Sequence, residues 1–253
     1  MITVKNETGF AKMAVAGRAV KAMHEAIREA AKPGITTKEL DVIAADVIES
    51  HGCTSNFLNY QGMGAAVPFP GVICASPNNV IVHGIPGDYA LKEGDILSID
   101  AGAIYEGYHG DAAFTMAIGE VPEIVARLID VTEQSMWAGI EQVKAGNKTG
   151  DVGHAVQTVV EAAGFSVVTE YVGHGIGTAM HEPPQVPNYG EPGTGIRLKE
   201  GYAICVEPMV NIGEWKTTML DDGWTIVTED GSLSAHFEHT IALTPEGPKV
   251  LTA

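Results

Sequence analysis

Leu91-Lys92-Glu93-Gly94-Asp95-Ile96-Leu97-Ser98-Ile99-Asp100 returns later in the chain as Leu198-Lys199-Glu200-Gly201-Tyr202-Ala203-Ile204-Cys205-Val206-Glu207, and both copies end on an acid. His83-Gly84-Ile85-Pro86 is echoed by His174-Gly175-Ile176-Gly177, and residues 34–52 run in step with 146–164 through Thr37/Thr149, Val47/Val159 and Glu49/Glu161. Two copies cannot make a solenoid, whose core closes only when three or more repeats stack. The expectation is therefore one domain, residues 1–253, with approximate halves 1–120 and 121–253 related by a pseudo-two-fold. Each half supplies helices and antiparallel strands, so the matched acids and histidines meet near the axis.

Outward from the repeat, apolar residues at helical spacing predict a helix over 7–31, and Lys32-Pro33-Gly34 ends it. A second helix is expected over 37–50, capped by Thr36 or Thr37. Residues 59–71, rich in glycine and proline, read as a loop. Short strands follow near 72–75, 80–83 and 95–101, then helices near 123–143 and 149–163. The last third reads as strands, with a hairpin suggested at Glu229-Asp230-Gly231.

Apolar residues make up 45% of the 253, enough for a sizeable core. Thirty-two acids against 15 bases leave a net charge of −17, and the bases are scattered singly. Such a chain repels phosphate backbones and anionic membranes, so neither nucleic acid nor membrane is expected as a partner. Cys53, Cys74 and Cys205 are odd in number and lack C-x-x-C spacing, which argues against a disulfide framework or a thiolate zinc site and for a reducing, cytoplasmic setting. No signal peptide is read at the start, and no apolar run reaches a membrane span.

Five residues carry the chemistry. A hairpin turning near Glu106-Gly107 is expected to bring Asp100 and Asp111 face to face, where like charges repel unless a cation lies between them. An isolated pair could instead point to solvent. Glu207 and Glu238 argue against that, because both interrupt strands that otherwise look destined for the core. His174 sits among glycines that let the backbone approach closely. Four carboxylates and one imidazole suit Mn, Fe, Co or Zn and disfavour calcium. Their charge exceeds what one ion needs, whereas two ions roughly 3.5–4 Å apart would balance it. His24, His51, His154, His236 and His239 read as ordinary structural histidines.

In this order, Asp100, Asp111, His174, Glu207 and Glu238 resemble the methionine aminopeptidases. So do the strings His83-Gly84-Ile85-Pro86, Ser98-Ile99-Asp100, Gly110-Asp111, Gly173-His174-Gly175-Ile176-Gly177, Glu207-Pro208-Met209 and Glu238-His239-Thr240. The likeness runs from about Met13 to Leu251. It implies an α/β (α+β) pita-bread fold, a duplicated antiparallel sheet covered by helices. It also implies an enzyme that removes the initiator methionine from nascent chains with a small second residue. Two divalent ions are implied, bridged by Asp111 and Glu238, with Asp100 chelating one and His174 and Glu207 holding the other. His83 is implied to meet the scissile amide nitrogen, His181 the carbonyl oxygen, and Glu207 to accept the proton of the attacking water. The side-chain pocket is implied to involve Tyr60, Cys74, His83, Met180 and Trp224.

The sequence departs from the common pattern at Met180, where many members carry phenylalanine, and in the 63–71 loop, which is longer than in short bacterial forms. The short step from His181 to Glu207 leaves no room for the type II insertion, so a type I enzyme is expected. The resemblance to small type I members implies a monomer, and Asp100 already at position 100 argues against the added N-terminal domain of proline-specific relatives. Because Ile2 is bulky, Met1 is expected to be retained. The rival readings are a prolidase or aminopeptidase P-like exopeptidase and a non-catalytic binding homologue of the same fold.

Overall fold

A computed structural model describes residues 2–62 and 66–253. Met1, and with it the expectation that it is retained, lies outside these residues. So does part of the longer 63–71 loop.

Helix α1 (Glu7–Ala30) starts where the Asn6 side chain accepts a hydrogen bond from Gly9 N at 2.9 Å, and it buries Met13, Ala16, Val20, Met23 and Ile27. Helix α2 (Thr37–Ser50) starts with a reciprocal cap: Glu39 N donates to the Thr36 hydroxyl and Thr36 N donates to the Glu39 carboxylate. In the second half stand α3 (Glu123–Ile140) and α4 (Thr149–Ala162). The repeated string sits alike in both halves. Gly34, at φ +98°, donates to Leu91 O, and Gly146, also at φ +98°, donates to Leu198 O. Leu91 N returns a bond to Ile35 O, and Leu198 N returns one to Asn147 O.

The strands are β1 (Thr54–Ser55), β2 (Ile73–Pro77), β3 (Val80–Val82), β4 (Ile96–Tyr105) and β5 (Tyr108–Ala117), then β6 (Ser166–Val167), β7 (Gly173–Gly175), β8 (Glu182–Val186), β9 (Ala203–Val206) and β10 (Met209–Asn211). After them come β11 (Thr217–Met219), β12 (Ile226–Thr228), β13 (Ser234–His236), β14 (His239–Thr244) and β15 (Gly247–Val250). They form four antiparallel sheets, ordered β1-β4-β2 with β5 on β4, β15-β14-β9-β7-β8, β13-β10-β6 and β11-β12-β3. Helix α1 packs on β4 and β5, and α3 packs on α4 and beside β13. One buried apolar cluster takes residues from all four helices and from both large sheets, including Val20, Leu40, Ile99, Leu128, Val156 and Ile241. Among the described residues, no helix is long and apolar enough to cross a membrane.

Two expectations need correction. Glu106 (φ 46°) and Gly107 (φ 77°) form a two-residue turn with Tyr105 paired to Tyr108, so Asp111 lies opposite Gly102 and Asp100 opposite Ala113. The two aspartates are diagonal neighbours rather than a facing pair. The shift is an even number of residues, so both remain on one face. The suggested hairpin at Glu229-Asp230-Gly231 does not form, because β12 pairs with β3 and β11 while β13 pairs with β10. The Asp230 carboxylate instead accepts from Glu214 N and Ser232 N, tying the turn to a neighbouring loop.

The seam between the halves runs along β5. Ala113 and Glu238 exchange backbone hydrogen bonds. On one side, the Thr115 hydroxyl donates to His236 O (2.8 Å) and accepts from His236 N (2.9 Å). On the other, the Thr240 hydroxyl donates to Asp111 O (2.8 Å) and accepts from Asp111 N (3.0 Å). Each threonine extends the ladder where backbones alone do not meet.

Candidate active site

The seam sets the acids in a row. Asp100 pairs with Ala113, Ala113 bridges to Glu238, and the antiparallel run of β14 on β9 places Glu238 beside Glu207, since the next pair is His239 with Val206. Asp111 stands one alternate position along β5 on the same face as Ala113. Three groups of potential ligand atoms result, each within 4.8 Å: Asp100, Asp111 and Glu238; Glu207, His236 and Glu238; His174, Cys205 and Glu238. All five ligands expected from the sequence lie in this cluster, and Glu238 belongs to every group.

His174 is turned by its own backbone neighbour. Its Nδ1 lies 2.9 Å from Gly175 O, and a carbonyl only accepts, so Nδ1 carries the proton and Nε2 presents a lone pair. Burial, together with His181, lowers its pKa to about 3, which keeps the ring neutral. That lone pair faces Glu207 Oε1 at 3.3 Å. Two acceptors at this distance repel unless a proton or a cation lies between them. Asp100 Oδ1, Asp111 Oδ1, Glu207 Oε1 and Glu238 Oε1 are likewise buried without hydrogen-bond partners, as is His236 Nε2. Burial pushes Asp100 up to about 7. Burial, and then the neighbouring acids, raise Asp111, Glu207 and Glu238 well above the usual carboxylate range. Such a set of unsatisfied oxygens and imidazole nitrogens fits divalent cations.

Above the acids opens a cavity of about 600 Å³. His83 lines it, held at φ +58°, a left-handed conformation uncommon for a side-chain-bearing residue, with its pKa lowered by burial to about 4. His181 stands at the mouth, its Nδ1 2.7 Å from the Tyr60 hydroxyl and its ring 4.4 Å from that of His174. Glu182, the next residue, shapes the loop that carries His181. Its carboxylate accepts from Thr178 N (2.8 Å), Ala179 N (3.2 Å), the Thr3 hydroxyl and Lys5 Nζ (2.7 Å), and the Lys5–Glu182 pair is buried.

Tyr60, Cys74, Met180 and Trp224 line the apolar end of the cavity. Phe57 and Phe69 join them and were not foreseen. Phe69 lies in a proline- and glycine-rich stretch that reads as solvent loop, yet it is 2% exposed and meets Trp224 edge-on with ring centres 5.2 Å apart. Asn59 N donates to Phe69 O and Phe69 N to Tyr60 O, which folds the ring inward, and the Trp224 indole N–H donates to Val67 O. Cys205 and His236 were missed as well. Each lies two residues before a cluster acid, and that alternation was the available signal. Burial, and then the nearby carboxylates, raise Cys205 well above the usual thiol range, so it stays protonated.

The chain matches the metallopeptidase family M24 over residues 11–245, and it belongs to that family. The methionine aminopeptidase of Clostridium perfringens is 47% identical over 252 residues, covering 100% of this chain and 99% of that protein. Methionine aminopeptidase 1 of Bacillus subtilis is 48% identical over 252 residues, with the same coverage. The crystal structure of the methionine aminopeptidase from Thermotoga maritima superposes with a TM-score of 0.95 at 41% identity, covering 100% of this chain and 99% of that one. The chain thus has the pita-bread fold and is a hydrolase of the aminopeptidase type.

Proposed function

We infer that this chain removes an N-terminal methionine from newly made polypeptides whose second residue is small, using two divalent ions. The observation that carries the metal reading is the His174 lone pair set against Glu207 Oε1 at 3.3 Å. Full-length likeness to methionine aminopeptidases supports the substrate. Asp100, Asp111 and Glu238 would hold one ion, and His174, Glu207 and Glu238 the other. The presence of Glu238 in every ligand group supports a bridging role. Bound there, divalent ions lower the pKa of water and polarise a carbonyl.

The chain's own residues supply the rest. Glu207, whose carboxylate reaches the ion site beside His174, is offered as the acceptor of the attacking water's proton. Neutral His83 and His181 line the cavity on the substrate side and are offered to the scissile amide nitrogen and carbonyl oxygen. The apolar, polarizable end formed by Phe69, Cys74, Met180 and Trp224 suits a thioether. We also propose that residues 1–253 act as one catalytic domain of two duplicated halves, supported by the matched contacts of Gly34 and Gly146. Free, buried cysteines support a reducing, cytoplasmic setting.

Met-Ala-Ser, Leu-Ala-Ser and Ala-Pro peptides decide the substrate. Release of methionine well ahead of leucine, abolished by a chelator and restored by Co, Mn, Fe or Zn, is the expected outcome. A preference for the Ala-Pro peptide would replace this reading with a prolidase-like one, and no turnover of any peptide in metal-loaded protein would leave a binding homologue.

A further inference from the structure

The cluster holds one imidazole more than the set read from the sequence. His236 is 2% exposed, and its Nε2 has no hydrogen-bond partner. A polar atom buried without a partner is rare in folded proteins. This one stands 3.9 Å from Glu207 Oε2, while His174 Nε2 stands 3.3 Å from the other oxygen, Oε1. At 3.9 Å there is no hydrogen bond. Two donor atoms that share a divalent ion, each bound at about 2.0–2.2 Å, lie roughly 3–4 Å apart, and the His236–Glu207 spacing falls in that range.

The backbone aims the ring. Thr115 bonds both the N–H and the carbonyl of His236, and His236 pairs with Met209, so the residue is fixed on both edges. Two residues on, Glu238 points to the same side, while Phe237 between them enters the main apolar core. A ring nitrogen of His236 also lies within 4.8 Å of ligand atoms of both Glu207 and Glu238.

We propose that His236 is a further ligand in this centre, its Nε2 binding the ion held by Glu207 and His174. The inference rests on the metallo-aminopeptidase reading. A second imidazole makes that subsite richer in nitrogen than the Asp100–Asp111 side, and so favours zinc, cobalt or iron there over manganese.

The test uses the full chain labelled with ¹⁵N-histidine, freed of metal and titrated with zinc chloride. Long-range ¹H–¹⁵N spectra follow each ring nitrogen, with His236 assigned from contacts to Thr115 and Met209. The expected result is that Nε2 of both His174 and His236 shifts on binding. In calorimetry, His236→Asn should weaken one zinc-binding step by about 10–100-fold and leave the other unchanged. The wild-type spectra stand whether or not that variant folds. A shift at His174 with none at His236 overturns the proposal and leaves the metal reading intact. No shift at either ring, with no heat of binding, overturns both.

Discussion

At the scale of single residues, the site is built from groups that are uncomfortable alone. Burial raises the pKa of all four carboxylates, the neighbouring acids add to it at Asp111, Glu207 and Glu238, and the His236 imidazole presents a nitrogen that lacks a partner. Glu207→Gln removes both a ligand charge and the group suited to accept a proton. Its turnover of Met-Ala-Ser should fall by at least about 10²-fold, the usual scale of general-base loss. The same variant should melt no lower than wild type when both are metal-free, because one repelling acid has gone. Retained turnover at saturating metal would contradict the assignment of Glu207. The acids were legible in the sequence because a carboxylate inside an apolar strand demands a partner. Nothing marked His236 among nine histidines except its place two residues before Glu238.

Among the elements, two side-chain devices hold the site in register. Thr240→Val keeps the shape but leaves Asp111 N and O without their hydroxyl partner. A loss of about 1–3 kcal/mol in chemical denaturation is expected, and Thr240→Ser should recover most of it. If Thr240→Val matches wild type, the seam is held by something else. The Lys5–Glu182 pair is buried and stabilises the turn that carries Met180 and His181. Lys5→Met removes the charged partner and leaves the Glu182 carboxylate to its neutral donors, so a cost of about 1–3 kcal/mol is expected, together with faster hydrogen exchange over 178–182. Unchanged exchange there would show that the loop does not depend on the pair. Neither device could be read from sequence, since both join residues more than a hundred positions apart. The exact hairpin register was also illegible, because it depends on whether the turn takes two residues or more.

For the whole molecule, the buried acids make stability depend on pH. Asp100 has a folded pKa of about 7, against an ordinary value of about 3.9. A carboxyl with a raised folded pKa favours the folded state fully below its unfolded pKa, and that contribution is lost as pH rises through the folded value. The histidines buried neutral, with folded pKa of about 3 to 4, act in the opposite sense over this range, so the Asp100 contribution is read against a variant: metal-free wild type should lose melting temperature relative to Asp100→Asn between about pH 4 and 7 in calorimetry. Cobalt or zinc should raise the melting temperature more at pH 8 than at pH 5, since ligands bind metal in their deprotonated forms. A difference from the variant that is flat with pH, and a melting temperature indifferent to metal, would mean that these carboxylates do not share a cation.

The duplicated string, the order of five ligand-type residues and the helix caps were all present in the sequence, because each depends on local pattern or on residue types that are costly to bury. The diagonal placement of Asp100 and Asp111, the threonine seam, the inward fold of Phe69 and the approach of His236 to Glu207 were decided only in three dimensions. Strand partnership and side-chain direction follow from which distant segments pack together, and residue spacing does not encode that choice.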